Sequence, residues 1–121
     1  MGVSCRGERD LSLSRASASG EYVVSLRSES EPIPLNALHS WLACIRRADG
    51  APVADAIVTV DGGMPEHRHG LPTRPEVTGS PEPGCHRIEG MKFSMSGHWV
   101  LTVTFWVANK RDSAQFDLEL P

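Results

Sequence analysis

No stretch of this 121-residue sequence approaches the ~18 consecutive apolar residues that a membrane-spanning helix needs. No basic stripe is present either. Charges of both signs are scattered along the chain and sum to -3, which argues against nucleic acid as a partner. Catalytic motifs are missing: there is no Gly-x-Ser-x-Gly elbow, no phosphate loop and no His-Glu-x-x-His. The neighbours Cys85 and His86 do not make a dyad, because adjacent strand residues point to opposite faces. The expectation is a protein that is not an enzyme. Cysteine is scarce, and Cys5, Cys44 and Cys85 lie 39 and 41 positions apart, matching no zinc or redox motif. The odd count leaves at least one thiol unpaired within a chain. Cys44 and Cys85 are either bridged, in an oxidising compartment, or both free.

The N-terminal residues lack the apolar centre of a signal peptide. The chain therefore reads either as cytosolic or as the mature part of an exported protein whose signal was replaced by Met1-Gly2. The Ser/Arg/Gly-rich start fits the second reading. Cys5 after Val3-Ser4 is compatible with the remnant of a lipoprotein cleavage site, a membrane anchor then having been lost. Arg6 fails the myristoylation pattern.

What is present is alternation. The length suits one domain with its own core, so a metal would serve function rather than hold the fold. We expect a disordered lead-in over 1–9 and a single domain over 10–121. Leu11 and Leu13 share a face, as do Tyr22, Val24 and Leu26. A charged loop with Pro32 and Pro34 follows. His39, Trp41, Ala43 and Ile45 then share a face up to the turn at Ala48-Asp49-Gly50, with Trp41 as core anchor. Ala56, Val58 and Val60 make a further strand ended by Gly62-Gly63. Residues 61–84 read as one long Gly/Pro-rich loop, of a length that usually marks function or disorder. Short strands are expected over 86–88 and 91–95. The longest alternating run, Trp99 to Val107, is apolar-leaning on both faces and reads as a central strand. A turn over 109–112 precedes a last strand with Phe116, Leu118 and Leu120. These elements predict an all-β chain, an immunoglobulin-like antiparallel β-sandwich of about seven to eight strands.

Two clusters carry chemistry. Met64-Pro65-Glu66-His67-Arg68-His69-Gly70 places a His-x-His three residues after a methionine, inside the expected loop. Met91-Lys92-Phe93-Ser94-Met95, at the far side of that loop, holds two more thioethers. Imidazole with thioether is a donor set that selects copper, and Cu(I) above all, since soft thioethers bind hard cations poorly. In extended backbone His67 and His69 fall on one side and can share an ion. Met64, His67, His69 and one of Met91 or Met95 would make an N2S2 site, with His98 as an extra candidate. The plainer readings are two exposed loop histidines, methionines that fill gaps in a core, and a strand-start histidine at 98. Zinc competes for the histidines but lacks a third ligand, since Glu66 would point away. His39, beside Trp41, suits a structural role or one supporting the metal loop.

The blocks Asn36-x-x-His39-x-Trp41, Asp49-Gly50-x-Pro52-Val53, Gly62-Gly63-Met64-Pro65-Glu66-His67-x-His69-Gly70-Leu71-Pro72-Thr73 and Ile88-Glu89-Gly90-Met91-x-Phe93-x-Met95-x-Gly97-x-Trp99 resemble the YtkA-like domain family over about residues 34–120. These are small bacterial β-sandwich proteins related in fold to FixH-like proteins of cytochrome oxidase assembly. The resemblance implies an exported or membrane-attached protein that handles copper, with ligands at Met64, His67, His69 and Met91 or Met95. One departure is His86, where the family pattern carries an aromatic residue. The expected function is an extracytoplasmic copper chaperone or store that passes Cu(I) to a copper-receiving protein. The alternatives are a metal-free protein-interaction module, with Met64 and Met91 in the core and His67 and His69 pointing apart, and a binder of small ligands in the open end of the sandwich.

Overall fold

A computed structural model describes residues 9–121; the expected lead-in over 1–9 and Cys5 lie, apart from Arg9, outside the described residues. Among the described residues nine strands form two antiparallel sheets, with no helix between them. They are β1 (Ser14–Ala16), β2 (Tyr22–Ser28), β3 (His39–Arg47), β4 (Ile57–Met64), β5 (His69–Gly70), β6 (Glu76–Glu82), β7 (Cys85–Met91), β8 (Gly97–Val107) and β9 (Lys110–Leu120). One sheet runs β1-β2-β3-β7-β6 and the other β5-β4-β8-β9. The all-β sandwich follows from the alternation. Trp99, Leu101, Val103, Phe105 and Val107 of β8 face inward with Ala114, Phe116, Leu118 and Leu120 of β9. Opposite them stand Val24, Leu26, Trp41, Ala43, Ile45 and Ile88 of the other sheet. Trp41, at 1% exposure, is the expected anchor, and β8 is central between β4 and β9.

The strand count exceeds the expected seven to eight because the stretch 61–84 is not one loop. Gly62 and Gly63 lie within β4 rather than ending it. A Cβ at Gly62 would sit 2.8 Å from Leu101 Cδ2, and one at Gly63 2.8 Å from the His69 carbonyl oxygen, so bare backbone here lets β5 and the core approach closely. The chain then folds into the β4–β5 hairpin and returns as β6. That strand carries Pro81 and is exposed throughout, which is tolerable because β6 is an edge, where a missing N–H costs no ladder bond. The expected strands 86–88 and 91–95 are instead a single β7 that ends at Met91. The first strand starts at Ser14, leaving Leu11 exposed. The β8–β9 turn sits at Ala108-Asn109, both at positive φ (50° and 67°), and Lys110 already belongs to β9.

Cys44 and Cys85 stand opposite each other in the β3–β7 register and form a disulfide. It joins neighbours of one sheet rather than the two sheets of the sandwich. At the same end, Tyr22 packs edge-on against Phe105 (5.4 Å between centroids) beneath the Arg47 guanidinium. At the other end a chain of rings crosses the core: His39 to Phe93 (5.6 Å), Phe93 to Trp41 (6.2 Å) and Phe93 to Trp99 (5.2 Å). That end carries the hairpin and the loops 29–38 and 92–96.

Candidate metal site

The hairpin is positioned by β4, whose last residue Met64 pairs with His69 in register. Pro65, Glu66, His67 and Arg68 form the connection. The His67 N–H donates to the Met64 carbonyl (3.1 Å), and Arg68 takes a positive φ of 55° to turn the chain back. The backbone at the histidines is thus a turn rather than the expected extended run. The two imidazoles nevertheless face each other, with centroids 5.8 Å apart and planes 24° from parallel, and both are exposed. An ion is bound in the plane of each imidazole, so these near-parallel rings share one only after turning about their side-chain bonds, which their exposure allows.

The thioethers sit differently. Met64 is 1% exposed and belongs to the core, its methyl lying against Gly97, where an added Cβ would be 3.0 Å away. Its backbone pairs with His69, but its side chain points into the core while the His69 ring is exposed. Met91 is equally buried and pairs with His39 across the β3–β7 ladder, away from the hairpin strands. Met95 is half-buried in the connection before β8, and its carbonyl accepts from Trp99 Nε1–H (3.0 Å). The structure therefore brings His67 and His69 together on the hairpin, keeps Met95 in the loop beside Gly97, and packs both Met64 and Met91 in the interior. Among the described residues no group of three or more His, Cys, Asp or Glu side chains is arranged to hold a metal ion.

Of the other histidines, His39 and His98 are engaged elsewhere. His39 Nε2 accepts from Trp41 Nε1–H (2.9 Å), which puts its proton on Nδ1, donating to the Ala37 carbonyl (3.0 Å). It holds the edge of the ring chain and is a structural histidine. His86 is buried in β7 with Nε2 unpartnered, and burial depresses its pKa. His98 opens β8. Its Nδ1 meets Glu66 Oε1 and Oε2 (3.1 and 3.2 Å) and its Nε2 meets Asp117 Oδ1 (2.6 Å), so neither nitrogen is free for an ion. Burial opposes charge on this ring, but the bonds it donates to Asp117 and Glu66 outweigh it and the pKa is raised. The same bond from His98 lowers the pKa of Glu66. Arg9 completes the group, its guanidinium bridging Glu66 (3.0 Å) and Glu119 (2.5 Å). Sequence reasoning missed this cluster because residues 9, 66, 98, 117 and 119 meet only through strand pairing. The one available signal was the polar Asp117 alternating with the apolar residues of β9.

Beside the hairpin, on the outer face of β4 and β8, lies an open groove of about 550 Å³, floored by Thr59, Val100, Thr102 and Thr104 and rimmed by Arg68 and His69.

Residues 16–104 match the family model described as YtkA-like. A DUF4426 family protein from Pseudomonas aeruginosa PAO1 has a similar structure, with a TM-score of 0.61 at 17% identity over 84% of this chain and 91% of that one. At that identity the likeness speaks to the fold alone. Comparison with curated proteins finds no match.

Proposed function

The chain belongs to the YtkA-like family, and from that membership we propose that it is an extracytoplasmic copper-binding protein that holds Cu(I) at the β4–β5 hairpin. The observation that carries the reading is the facing pair His67 and His69, with ring centroids 5.8 Å apart, on the β4–β5 hairpin. Two neutral imidazoles and a soft sulfur suit Cu(I) better than zinc or a hard cation. Met95, half-buried in the adjoining loop, is a more accessible thioether than Met64 or Met91, both 1% exposed in the core. Exposed imidazoles on a loop suit a carrier: a partner's ligands can replace them one at a time, and the copper passes on by ligand exchange. The Cys44–Cys85 disulfide supports an oxidising compartment and so the extracytoplasmic assignment.

Copper retained after incubation with Cu(I) is the test. Ascorbate is the reductant of choice, because a thiol would compete for the ion and open the disulfide. About one ion per chain in the parent, lost in a His67→Ala/His69→Ala variant, is the expected result. A variant that keeps its copper defeats the assignment. The burial of Met64 and Met91 favours a second reading, a metal-free interaction module using the same end of the sandwich. A parent that retains no copper points there.

A further inference from the structure

Resting on the hairpin site proposed above, we infer that His98 is a positioning residue: clamped between Glu66 and Asp117, it fastens the His67/His69 hairpin to the β8–β9 ladder and presets the two imidazoles. The hairpin has little else to order it. Pro65, Glu66, His67 and Arg68 are all exposed, and their one internal backbone bond is that of His67 N–H to the Met64 carbonyl. Glu66, immediately before His67, is the side chain that reaches back to the sheet. It meets His98 through both oxygens and Arg9 through one.

The chemistry of the clamp is set by its partners. Carboxylates only accept, so bonds from both ring nitrogens require both to carry protons, and the ring is an imidazolium. The His98 side chain is 11% exposed but that of Glu66 is 51% exposed, so the imidazolium is sheltered while solvent and salt screen the carboxylate side of the pair. The charged groups that face it are Glu66 from the hairpin, Asp117 from β9, and Arg9, which is itself held by Glu119. None of these is a proposed ligand. Holding the hairpin in advance removes an ordering cost that binding would otherwise carry.

The test begins with metal-free protein, so that it does not depend on copper. Amide hydrogen exchange is compared between the parent, Glu66→Gln, and Glu82→Gln as a control that removes a carboxylate from β6. In Glu66→Gln the amides of 66–70 exchange about tenfold faster and Cu(I) affinity falls by about tenfold, the equivalent of about 1.4 kcal/mol, while residues 100–107 and the control are unchanged. In the parent, hairpin protection also declines as pH rises through the His98 pKa, a transition that Glu66→Gln lacks. Unchanged hairpin exchange in Glu66→Gln overturns the inference. So does a loosened hairpin that binds copper as tightly as the parent's. If the parent itself holds no copper, the binding proposal falls, and the exchange rates alone support or overturn the clamp.

Discussion

The two ends of the sandwich are built on different rules. At one end the strands are closed by a two-residue turn at Ala108-Asn109, stapled by Cys44–Cys85, and covered where Arg47 lies over Tyr22. At the other end the strands open into loops, the core holds a histidine among its rings, and two further histidines stand in solvent. The first end spends its residues on closure. The second keeps polar groups that contribute little to folding, and positions them with an ionic clamp. Loops on a rigid scaffold are where binding residues concentrate, and the contrast shows how the scaffold is divided: Met64 and Met91 pack inside while His67 and His69 stay outside.

Truncating the ring chain should have the largest effect. Trp99→Ala is expected to cost about 3–5 kcal/mol in urea unfolding, as for other buried aromatics. A cost near that of a surface change would mean that the open end has no core of its own. Removing the staple comes next. A Cys44→Ala/Cys85→Ala variant is expected to lose about 2–4 kcal/mol while keeping its Cu(I) affinity, because the two ends share no partners. Lost affinity would break the division. The reverse is expected of His67→Ala/His69→Ala: at least a hundredfold loss of Cu(I) affinity, about 2.7 kcal/mol, with unfolding changed by no more than ~0.5 kcal/mol. Met64 sits on the boundary. Met64→Leu should cost less than ~1.5 kcal/mol of stability, since volume is kept, and yet weaken Cu(I) binding by about tenfold. Full retention of binding would assign Met64 to packing alone.

The smallest effect is in pH dependence, where two histidines act with opposite signs. His98 has a raised pKa in the folded protein, so its contribution to stability is complete below the ordinary histidine range and is lost as pH rises through the raised value. His86 has a depressed pKa, so its contribution is present above the ordinary histidine range and is lost as pH falls through the depressed value. Melting temperature against pH should therefore tilt toward loss at acid pH in His98→Gln and flatten there in His86→Phe. Identical profiles for the two variants would contradict the assignment.

Much of the scaffold was legible because period-two alternation survives wherever one face is buried, as in β8 and β9. The stretch 61–84 was not. Its glycines read as breakers, but Gly62 and Gly63 are bare for the opposite reason, to let a neighbouring strand come close inside a continuing sheet. In β6, edge position rather than propensity allowed Pro81. The His67/His69 pair was readable from spacing, although a turn with Arg68 at positive φ, not extended backbone, brings the rings together. The depth of Met64 and Met91 was not readable, since a thioether suits a core and a ligand shell equally. Nor was the role of His98, whose carboxylate partners come from a loop and a strand far along the chain.

The first described residues run beside the last strand. Ala18 N–H donates to the Ser113 carbonyl, Ser19 bonds Asp112, and Arg9 reaches Glu119 across 110 positions. Strand β9 contributes four buried side chains to the core and pairs with β8 along its whole length. The segment 9–19 is held by β9, so neither is in place without the other. Without β9, β8 has one open side and the core lacks a wall. Closing the core therefore depends on a strand far along the chain from the segment it fastens.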